Sequence, residues 1–385
     1  MQKSERNRLL KAFEKRFGPG PTPRAAIAPG RSNLIGEHTD YNGGLVLPMA
    51  VQLHTTTLFR ASKSPRIAIY SETIAAHDEF DLKRIAPTND PHRHWSNYIR
   101  GVAFALAERG VKLKGGDLYV SGDLPQGAGL SSSAALEISS GLALLALAGK
   151  TMDRQELAYV GQKSEHNFAG VKCGIMDQTV VARAKPGHAL LLDCSSMAVK
   201  HIPIALKDYS FALFDTGVRH KLAGSEYNKR RAECEHAAAI MRHKTLRGVT
   251  TDELLKASHK LTGNEHKRVR HVLTENLRVV QFAAALERGD TAELGKLLSL
   301  SHESLARDYE VSCGELDAIV DRLARNHRKD GACPGARMVG GGFGGAVVAL
   351  LKTSAFAKYA KDLKSLARGG SRLLSSSGAA IVENL

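Results

Sequence analysis

The chain has 385 residues, 43% hydrophobic and 24% charged, the balance of an ordinary globular protein long enough for two cores. No apolar run approaches a membrane span, since the densest, Gly141 to Ala148, is far too short. The excess of 54 Lys and Arg over 39 Asp and Glu gives a net charge of +15 and favours anionic partners, but the basic residues are spread out, without the aromatic-interleaved patch or reading motif of a nucleic-acid binder.

The N-terminus, M-Q-K-S-E-R-N-R, has no apolar signal core, so no secretion signal is expected. Leu9, Leu10, Phe13 and Phe17 recur at helical spacing among Lys and Arg, which predicts an amphipathic helix; Glu5 and Glu14 argue against a transit peptide. From Pro29 to Asp40 the sequence reads P-G-R-S-N-L-I-G-E-H-T-D, with an arginine, an asparagine, a glutamate, a histidine and an aspartate spaced by glycines. The apolar, β-branched stretch Leu45–Phe59 that follows reads as strand. Polar groups leading into a buried strand are costly unless something polar uses them, and a polyhydroxylated ligand such as a sugar fits, because each hydroxyl both donates and accepts.

Further strands are predicted at Arg66–Tyr70, Asp117–Gly122, Ala189–Asp193 and Ser210–Asp215, and helices at Tyr98–Arg109, Ser133–Ala148 and Asp153–Phe168. The segment Leu124–Ala135, L-P-Q-G-A-G-L-S-S-S-A-A, joins a strand to a helix. Gly127 and Gly129 let backbone N–H groups converge, and the helix N-terminus adds free donors and a partial positive charge. That is an anion site, and its serines add hydroxyls for phosphate or Mg²⁺. Two look-alikes fail. Gly127-Ala128-Gly129 starts a dinucleotide fingerprint, but Ser132 occupies the third glycine position; Gly149-Lys150-Thr151 ends a Walker A loop, but Leu144 stands at its first glycine.

Leu157, Gly161 and Glu165 share one helix face, which sets Glu165 near the inward stripe, where a lone carboxylate needs a cation such as Mg²⁺. Asp177 lies among Ile175, Met176, Val180 and Val181, either as an N-cap or as a deliberately buried acid. From Ser225 to His327 the pattern is nearly all helix, including Asn264–Glu287 and Asp290–Leu305. A Gly-rich turn and strand at Arg337–Leu351, a helix at Ala355–Ala367 and a short strand at Ala379–Val382 close the chain. Gly340–Gly345, G-G-G-F-G-G, fits G-x-G-x-x-G, a weak signal alone, but a second glycine loop brings backbone close to a ligand. The five cysteines are scattered and lack any C-x-x-C pair, which fits a reducing compartment and no familiar zinc site. Helices and strands mix in both halves without regular βαβ alternation, so the fold class is α+β, with domains expected at 1–207 and 208–385.

The three Gly-containing segments, in this order, resemble the GHMP family of small-molecule kinases, and G-R-S-N-L-I-G-E-H-T-D-Y (Gly30–Tyr41) looks like the galactokinase signature. C-G-I-M-D-Q (Cys173–Gln178) and S-E-Y-N-K-R-R (Ser225–Arg231) match that subfamily too, and the similarity runs from about Arg24 to the C-terminus. The third motif departs slightly, with Val339 and Ala346 where the family more often has small polar residues. The resemblance implies a two-domain GHMP kinase fold: a mixed-sheet N-terminal domain of the ribosomal protein S5 domain 2 type, a helix-rich ferredoxin-like C-terminal domain, and an active site in the cleft between them. It implies ATP-dependent phosphorylation of the anomeric hydroxyl of galactose by direct in-line transfer. Carried over by motif position, Glu37, His38, Thr39, Asp40, Gly174 and Tyr227 line the sugar. Gly127, Ala128, Gly129, Leu130, Ser131, Ser132 and Ser133 hold the ATP phosphates, Ser133 and Glu165 hold Mg²⁺, Asp177 is the base, and Arg31 is its electrostatic partner. The partners expected are galactose and MgATP, for a cytoplasmic monomer with neither nucleic acid nor membrane as partner. Two alternatives stand beside this reading: a GHMP kinase for N-acetylgalactosamine or another acceptor, and a catalytically silent galactose sensor regulating transcription. The intact Ser131–Ala135 and Asp177 weigh against the sensor.

Overall fold

The computed structural model describes residues 1–219 and 223–385. Helix α1 (Lys3–Phe17) forms where the apolar spacing predicts it and buries Leu9 and Phe13. Strands β1 (Arg24–Asn33), β2 (Leu45–Val46), β3 (Pro48–Ala61), β4 (Arg66–Ser71), β5 (Ala76–Asp81) and β6 (Gly116–Gly122) alternate with helix α2 (Asn97–Glu108), and α3 (Ser132–Ala148), α4 (Arg154–Ser164) and α5 (Met176–Arg183) follow. Next come β7 (His188–Asp193), β8 (Val199–Pro203) and β9 (Tyr209–Arg219). The helical stretch is α6 (Ala223–Ile240), α7 (Thr251–Ala257), α8 (Gly263–Arg288), α9 (Thr291–Arg307) and α10 (Gly314–Asp330). Strands β10 (Gly335–Val339) and β11 (Gly344–Lys352), helix α11 (Phe356–Asp362), and strands β12 (Gly370–Leu374) and β13 (Ile381–Asn384) complete the chain.

The first sheet is mixed, in the order β13-β1-β3-β6-β4-β5, with β4 and β6 parallel and the other pairs antiparallel. Side-chain alternation gives it two faces. Ala25 of β1, Leu58 of β3 and Tyr119 of β6 meet Leu9 and Phe13 of α1, whereas Ala26, Ala28, Phe59 and Leu118 point into the main core with α2 to α5. Helix α3 is buried on nearly every side, as its continuous apolar sequence requires. The second sheet, β10-β11-β9-β12, is antiparallel, and one of its faces packs Ala212, Phe214, Val347 and Ala349 against Cys234, Val272 and Ile319. Its other face, with Phe211, Leu213, Val348 and Leu350, joins the main core, so apolar packing runs continuously between the halves.

The expected strand Leu45–Phe59 is two strands. Leu47 turns away to exchange backbone bonds with Leu34 and Ile35, which sends β2 to pair with β7. The charged sequence of β5, A-H-D-E-F-D, hid that strand from a reading of apolar alternation. Helix α11 is shorter than the expected Ala355–Ala367. We propose the domain boundary near residue 207, between β8 and β9, with one exchange: β13 crosses back to pair with β1. Among the described residues no helix is long and apolar enough to cross a membrane.

Candidate active site

A cavity of about 160 Å³ is lined by Arg31, Glu37, His38, Asp40, Asp177 and Tyr227, with Glu165, Val171, Cys173, Gly174, Met176, Gly340 and Gly341 completing its wall. Residues far apart in the chain meet there for local reasons. Between Pro29 and Arg31 the pairing of β1 with β3 slips by a bulge, and a Cβ on Gly30 would lie 2.3 Å from Leu124 and 2.8 Å from the Leu130 carbonyl. The bulge re-aims Arg31 and lets the 124–131 loop press against the strand, where Arg31 N–H donates to the Leu130 carbonyl at 3.0 Å. Arg31 is buried and grips Asp177 with two nearly parallel bonds, Nε to Oδ1 at 2.7 Å and Nη2 to Oδ2 at 2.6 Å. A fork of this kind fixes a carboxylate in angle as well as distance. Asp177 sits in the first turn of α5, so it is a partly buried, paired acid and not an N-cap.

The sugar-like segment 34–45 is held from the other half of the molecule. Glu275 of α8 accepts from the Gly36 N–H at 2.9 Å, and Asn276 accepts from the Leu45 N–H at 2.7 Å. Glu37 accepts from Asn33 at 2.9 Å, from the Gly340 N–H at 2.7 Å and from Arg337 at 3.3 Å, while Arg337 also donates to the Asn33 and Leu34 carbonyls. Its carboxylate therefore ties the first motif to the third glycine loop. Asp40 is different: it accepts from the Tyr41 backbone, and burial together with the Asp177 and Glu37 charges pushes it up to about 7. Gly174 is glycine because a Cβ there would lie 1.8 Å from Asp40 Oδ2. His38 stands at φ 63°, and burial holds its ring neutral by lowering its pKa to about 3. Thr39 does not line the cavity; its hydroxyl lies 2.9 Å from the Gly36 carbonyl and 2.7 Å from the Leu45 carbonyl, donates its one proton between them and closes the loop on itself.

In the anion loop, Gly127 and Gly129 adopt φ 67° and 72°, and a Cβ on Gly129 would lie 2.8 Å from the Val339 carbonyl. The second and third glycine motifs thus touch. Ala128 and Leu130 are buried and anchor the loop, so of this segment it is the backbone and the serines that face outward. Ser131 precedes α3 at φ 55° and makes no capping bond; its hydroxyl donates instead to Asp177. Ser131 therefore leaves the first N–H groups of α3 uncapped, the geometry an anion can use.

Glu165 begins a turn of π-helix, Glu165–Ala169, at the end of α4, a distortion common at functional sites. It is buried, accepts from Gln178 at 2.8 Å and from Cys173 at 3.3 Å, and lies within hydrogen-bond reach of Ser133. Burial and the nearby Asp177 charge push it up to about 7. Among the described residues no three His, Cys, Asp or Glu side chains form a self-sufficient metal cage. Mg²⁺ commonly takes one or two protein ligands beside substrate phosphates. A buried carboxylate crowded by like charge, with a hydroxyl next to it, is a donor set such a cation fits.

The sequence reading missed several residues. Glu137 of α3 is fully buried, with one oxygen unpartnered and the other accepting from Gln178 at 2.9 Å. Its signal was a lone carboxylate one turn after Ser133 in an apolar helix. Arg219 donates to the Gln126 carbonyl at 2.9 Å and lies against Gly127. A second, mainly apolar cavity of about 240 Å³ opens on the far side of the α3 N-terminus, lined by Ile74, Trp95, Tyr98, Leu124, Ser133 and Leu136. The Leu124–Ala135 motif supplies only one side of it, and Ile74, Trp95 and Tyr98 come from elsewhere in the chain.

Three family models match. The galactokinase galactose-binding signature covers residues 11–61, the GHMP kinases N terminal domain 97–185, and the GHMP kinases C terminal domain 282–365. The chain is 45% identical over 353 residues to a galactokinase of Chloroflexus aggregans, spanning 90% of this chain and 88% of that one. It is 43% identical to a galactokinase of Thermotoga maritima, with 87% and 91% covered. Among solved structures, galactokinase of Lactococcus lactis complexed with galactose superimposes with a TM-score of 0.92 at 32% identity, covering 97% of this chain and 99% of that one. Mevalonate kinase of Methanococcus jannaschii shares the fold, with a TM-score of 0.64 at 20% identity.

Proposed function

The chain belongs to the galactokinases of the GHMP kinase family, and we propose how its residues divide the work of phosphorylating galactose. The reaction is transfer of the terminal phosphoryl group of ATP to the anomeric hydroxyl, giving galactose 1-phosphate and ADP. The 160 Å³ cavity is smaller than the roughly 300–1,000 Å³ of sites for drug-sized ligands and suits one monosaccharide. Asp40, with no side-chain donor satisfying it among the described residues, and the cavity-facing side of Glu37 accept from sugar hydroxyls. Tyr227 supplies an apolar ring surface.

Asp177 takes the proton from the anomeric hydroxyl. Arg31 fills two of its acceptor positions and Ser131 a third, which leaves room for one more donor, the hydroxyl itself. As the new O–P bond forms, the bond between the terminal phosphoryl group and ADP breaks, and little covalent work is left to the protein beyond position and charge. The Gly127–Ser133 backbone and the α3 N-terminus receive the phosphates, and the Trp95–Tyr98 cavity receives the nucleotide base, because it opens beside that terminus. Bound Mg²⁺, held by Ser133 and Glu165, would neutralise charge on the phosphates.

The observation that carries this reading is the Ser131–Asp177 contact: a phosphate-loop residue hydrogen-bonds the carboxylate at the sugar cavity, so donor and acceptor sites abut. Asp177→Asn is expected to lower kcat by about 10²–10⁴-fold while leaving galactose affinity within a few-fold. A variant that turns over at the wild-type rate removes Asp177 as base. A panel of sugars assayed for Mg²⁺-dependent ADP release, including N-acetylgalactosamine, identifies the acceptor and separates kinase from sensor.

A further inference from the structure

His38 presents an unusual combination. Its ring is buried between Tyr227 and Tyr309, Nδ1 lies 2.8 Å from the Tyr41 hydroxyl, and Nε2 makes no hydrogen bond of normal geometry among the described residues, although the Gly341 backbone on the same cavity wall also acts on the ring. Beyond Tyr41 the contacts continue: Tyr41 to Tyr309 hydroxyl at 2.8 Å, then Tyr309 hydroxyl to Cys234 sulfur at 3.1 Å. None of Tyr41, Tyr309 or Cys234 lines the sugar cavity. Tyr309 is itself fixed, since Arg230 of α6 donates to its carbonyl at 2.8 Å, and Cys234 follows Arg230 by one helical turn.

Burial keeps every member of this chain neutral: it raises both tyrosines, lifts Cys234 to about 12 and lowers His38. Each hydroxyl or thiol then has one proton to donate, so the chain has two self-consistent orders. In one, protons point toward His38: sulfur to Tyr309, Tyr309 to Tyr41, Tyr41 to Nδ1, and the imidazole proton sits on Nε2. In the other all are reversed, the last acceptor is a thiol sulfur, and Nε2 is bare. The first order is favoured twice. An imidazole nitrogen is a far better terminal acceptor than sulfur. The Asn42 side chain, moreover, already donates to Cys234, which leaves the S–H free to point at Tyr309.

We propose that Tyr41, Tyr309 and Cys234 form a proton-ordering relay that fixes His38 as its Nε2–H tautomer and turns that nitrogen into a neutral donor aimed at the sugar. The inference rests on the reading of the small cavity as the galactose site. Its use is selectivity: carboxylates Glu37, Asp40 and Asp177 surround the ligand with acceptors, and Arg31 is occupied by Asp177 and the Gly129 carbonyl. A sugar oxygen facing His38 is therefore read through its lone pair, whereas its neighbours are read through their protons. Tyr309 and Cys234 are positioning residues in this scheme, acting through Tyr41.

The test is ¹⁵N NMR of the imidazoles in the full chain, with His38 among the 16 histidines identified by its loss in His38→Asn. The wild-type protein is expected to show His38 with a protonated Nε2 and an unprotonated Nδ1. Tyr309→Phe keeps the ring and removes the hydroxyl. It is expected to give a mixture of tautomers and to raise the galactose Kd about 3- to 10-fold, with the ATP KM unchanged. Cys234→Ala is expected to do the same more weakly, and Cys234→Ser, which keeps a donor, to restore both readouts. If Tyr309→Phe does not fold, the Cys234→Ala and Cys234→Ser pair decides. A wild-type Nδ1–H ring, or variants with unchanged tautomer and galactose Kd, overturns the relay while galactose binding stands. Absence of galactose binding in the wild-type protein overturns the site reading itself.

Discussion

Gly174→Ala isolates the geometry of the sugar cavity better than any charge change. Gly174 does not need a left-handed backbone, so the substitution tests space alone. A Cβ at this position would sit 1.8 Å from Asp40 Oδ2 and 2.1 Å from its Cγ, where real Cβ contacts essentially never fall below 3.0 Å. The Asp40 carboxylate must therefore retreat by about 1.2 Å, the gap between those two distances. A hydrogen bond at 2.7–3.2 Å stretched by that much is no longer one. Losing a bond to a charged group costs roughly 1.5–3 kcal/mol, and about 1.4 kcal/mol is tenfold in affinity. The galactose KM is accordingly expected to rise about 10- to 100-fold, with the ATP KM unchanged and kcat reduced by no more than a few-fold. Steady-state kinetics with each substrate varied separately give all three values, and a thermal melt checks that the variant is folded. A wild-type galactose KM would refute the placement of Asp40 at the sugar, and an equal rise in both KM values would refute the separation of the two cavities.

The same carboxylate sets a pH dependence. Asp40 is raised to about 7 from an ordinary 3.8, so between these values the folded protein holds a proton that the unfolded chain has lost. Ionisation as pH rises through 7 thus removes stability. Sugar hydroxyls donate to the ionised form, so galactose affinity should be full above about pH 7 and fall by up to roughly tenfold per unit below it. Calorimetric titration across that range should show the slope in the wild type and lose it in Asp40→Asn; a flat wild-type profile contradicts the assignment. Glu165→Gln should raise the Mg²⁺ concentration for half-maximal rate by about tenfold or more while sparing the galactose KM, and an unchanged Mg²⁺ titration would remove Glu165 as a ligand. Gly129→Ala must fit a Cβ 2.8 Å from the Val339 carbonyl at φ 72°, so a loss of about 1–3 kcal/mol in stability and a raised ATP KM are expected, read by denaturant melts and kinetics. A variant as stable as the wild type would mean the two glycine loops are not in close contact.

What was legible in the sequence was what the chain writes locally. Strand, glycines, serines and helix follow one another within Gly116–Ala148, so the anion loop could be read from contiguous residues. Glu165 was reachable because a helical period put it on the face of Leu157 and Gly161, although the α-helix expected to run to Phe168 ends at Ser164 and Glu165 opens a π-turn. Asp177 was half-legible: its apolar neighbours marked burial and the family resemblance named Arg31 as its partner, while the two-bond geometry across 146 residues comes from the fold. The apolar nucleotide-side cavity left no trace, since Ile74, Trp95 and Leu136 are ordinary core residues in sequence and acquire meaning only from the gap between them.

The least legible feature is also what holds the site together. Arg337 is fully buried, stands in a β-strand, and by sequence reads only as the charged start of a glycine turn. In the fold it donates to the Asn33 and Leu34 carbonyls and to Glu37, while Glu275 and Asn276 secure Gly36 and Leu45. A buried ion pair of this kind contributes little net stability against an apolar equivalent, but breaking one side of it typically costs about 3–5 kcal/mol. Its value lies in geometry. The polar segment that looked too costly to bury is satisfied from the opposite half of the molecule, and the same bonds set Glu37, His38 and Asp40 at fixed angles around the cavity. Apolar packing between the halves supplies the adhesion, and these directional bonds choose one relative placement of the two, the placement in which Glu37 meets the Gly340 N–H and Gly129 comes against Val339.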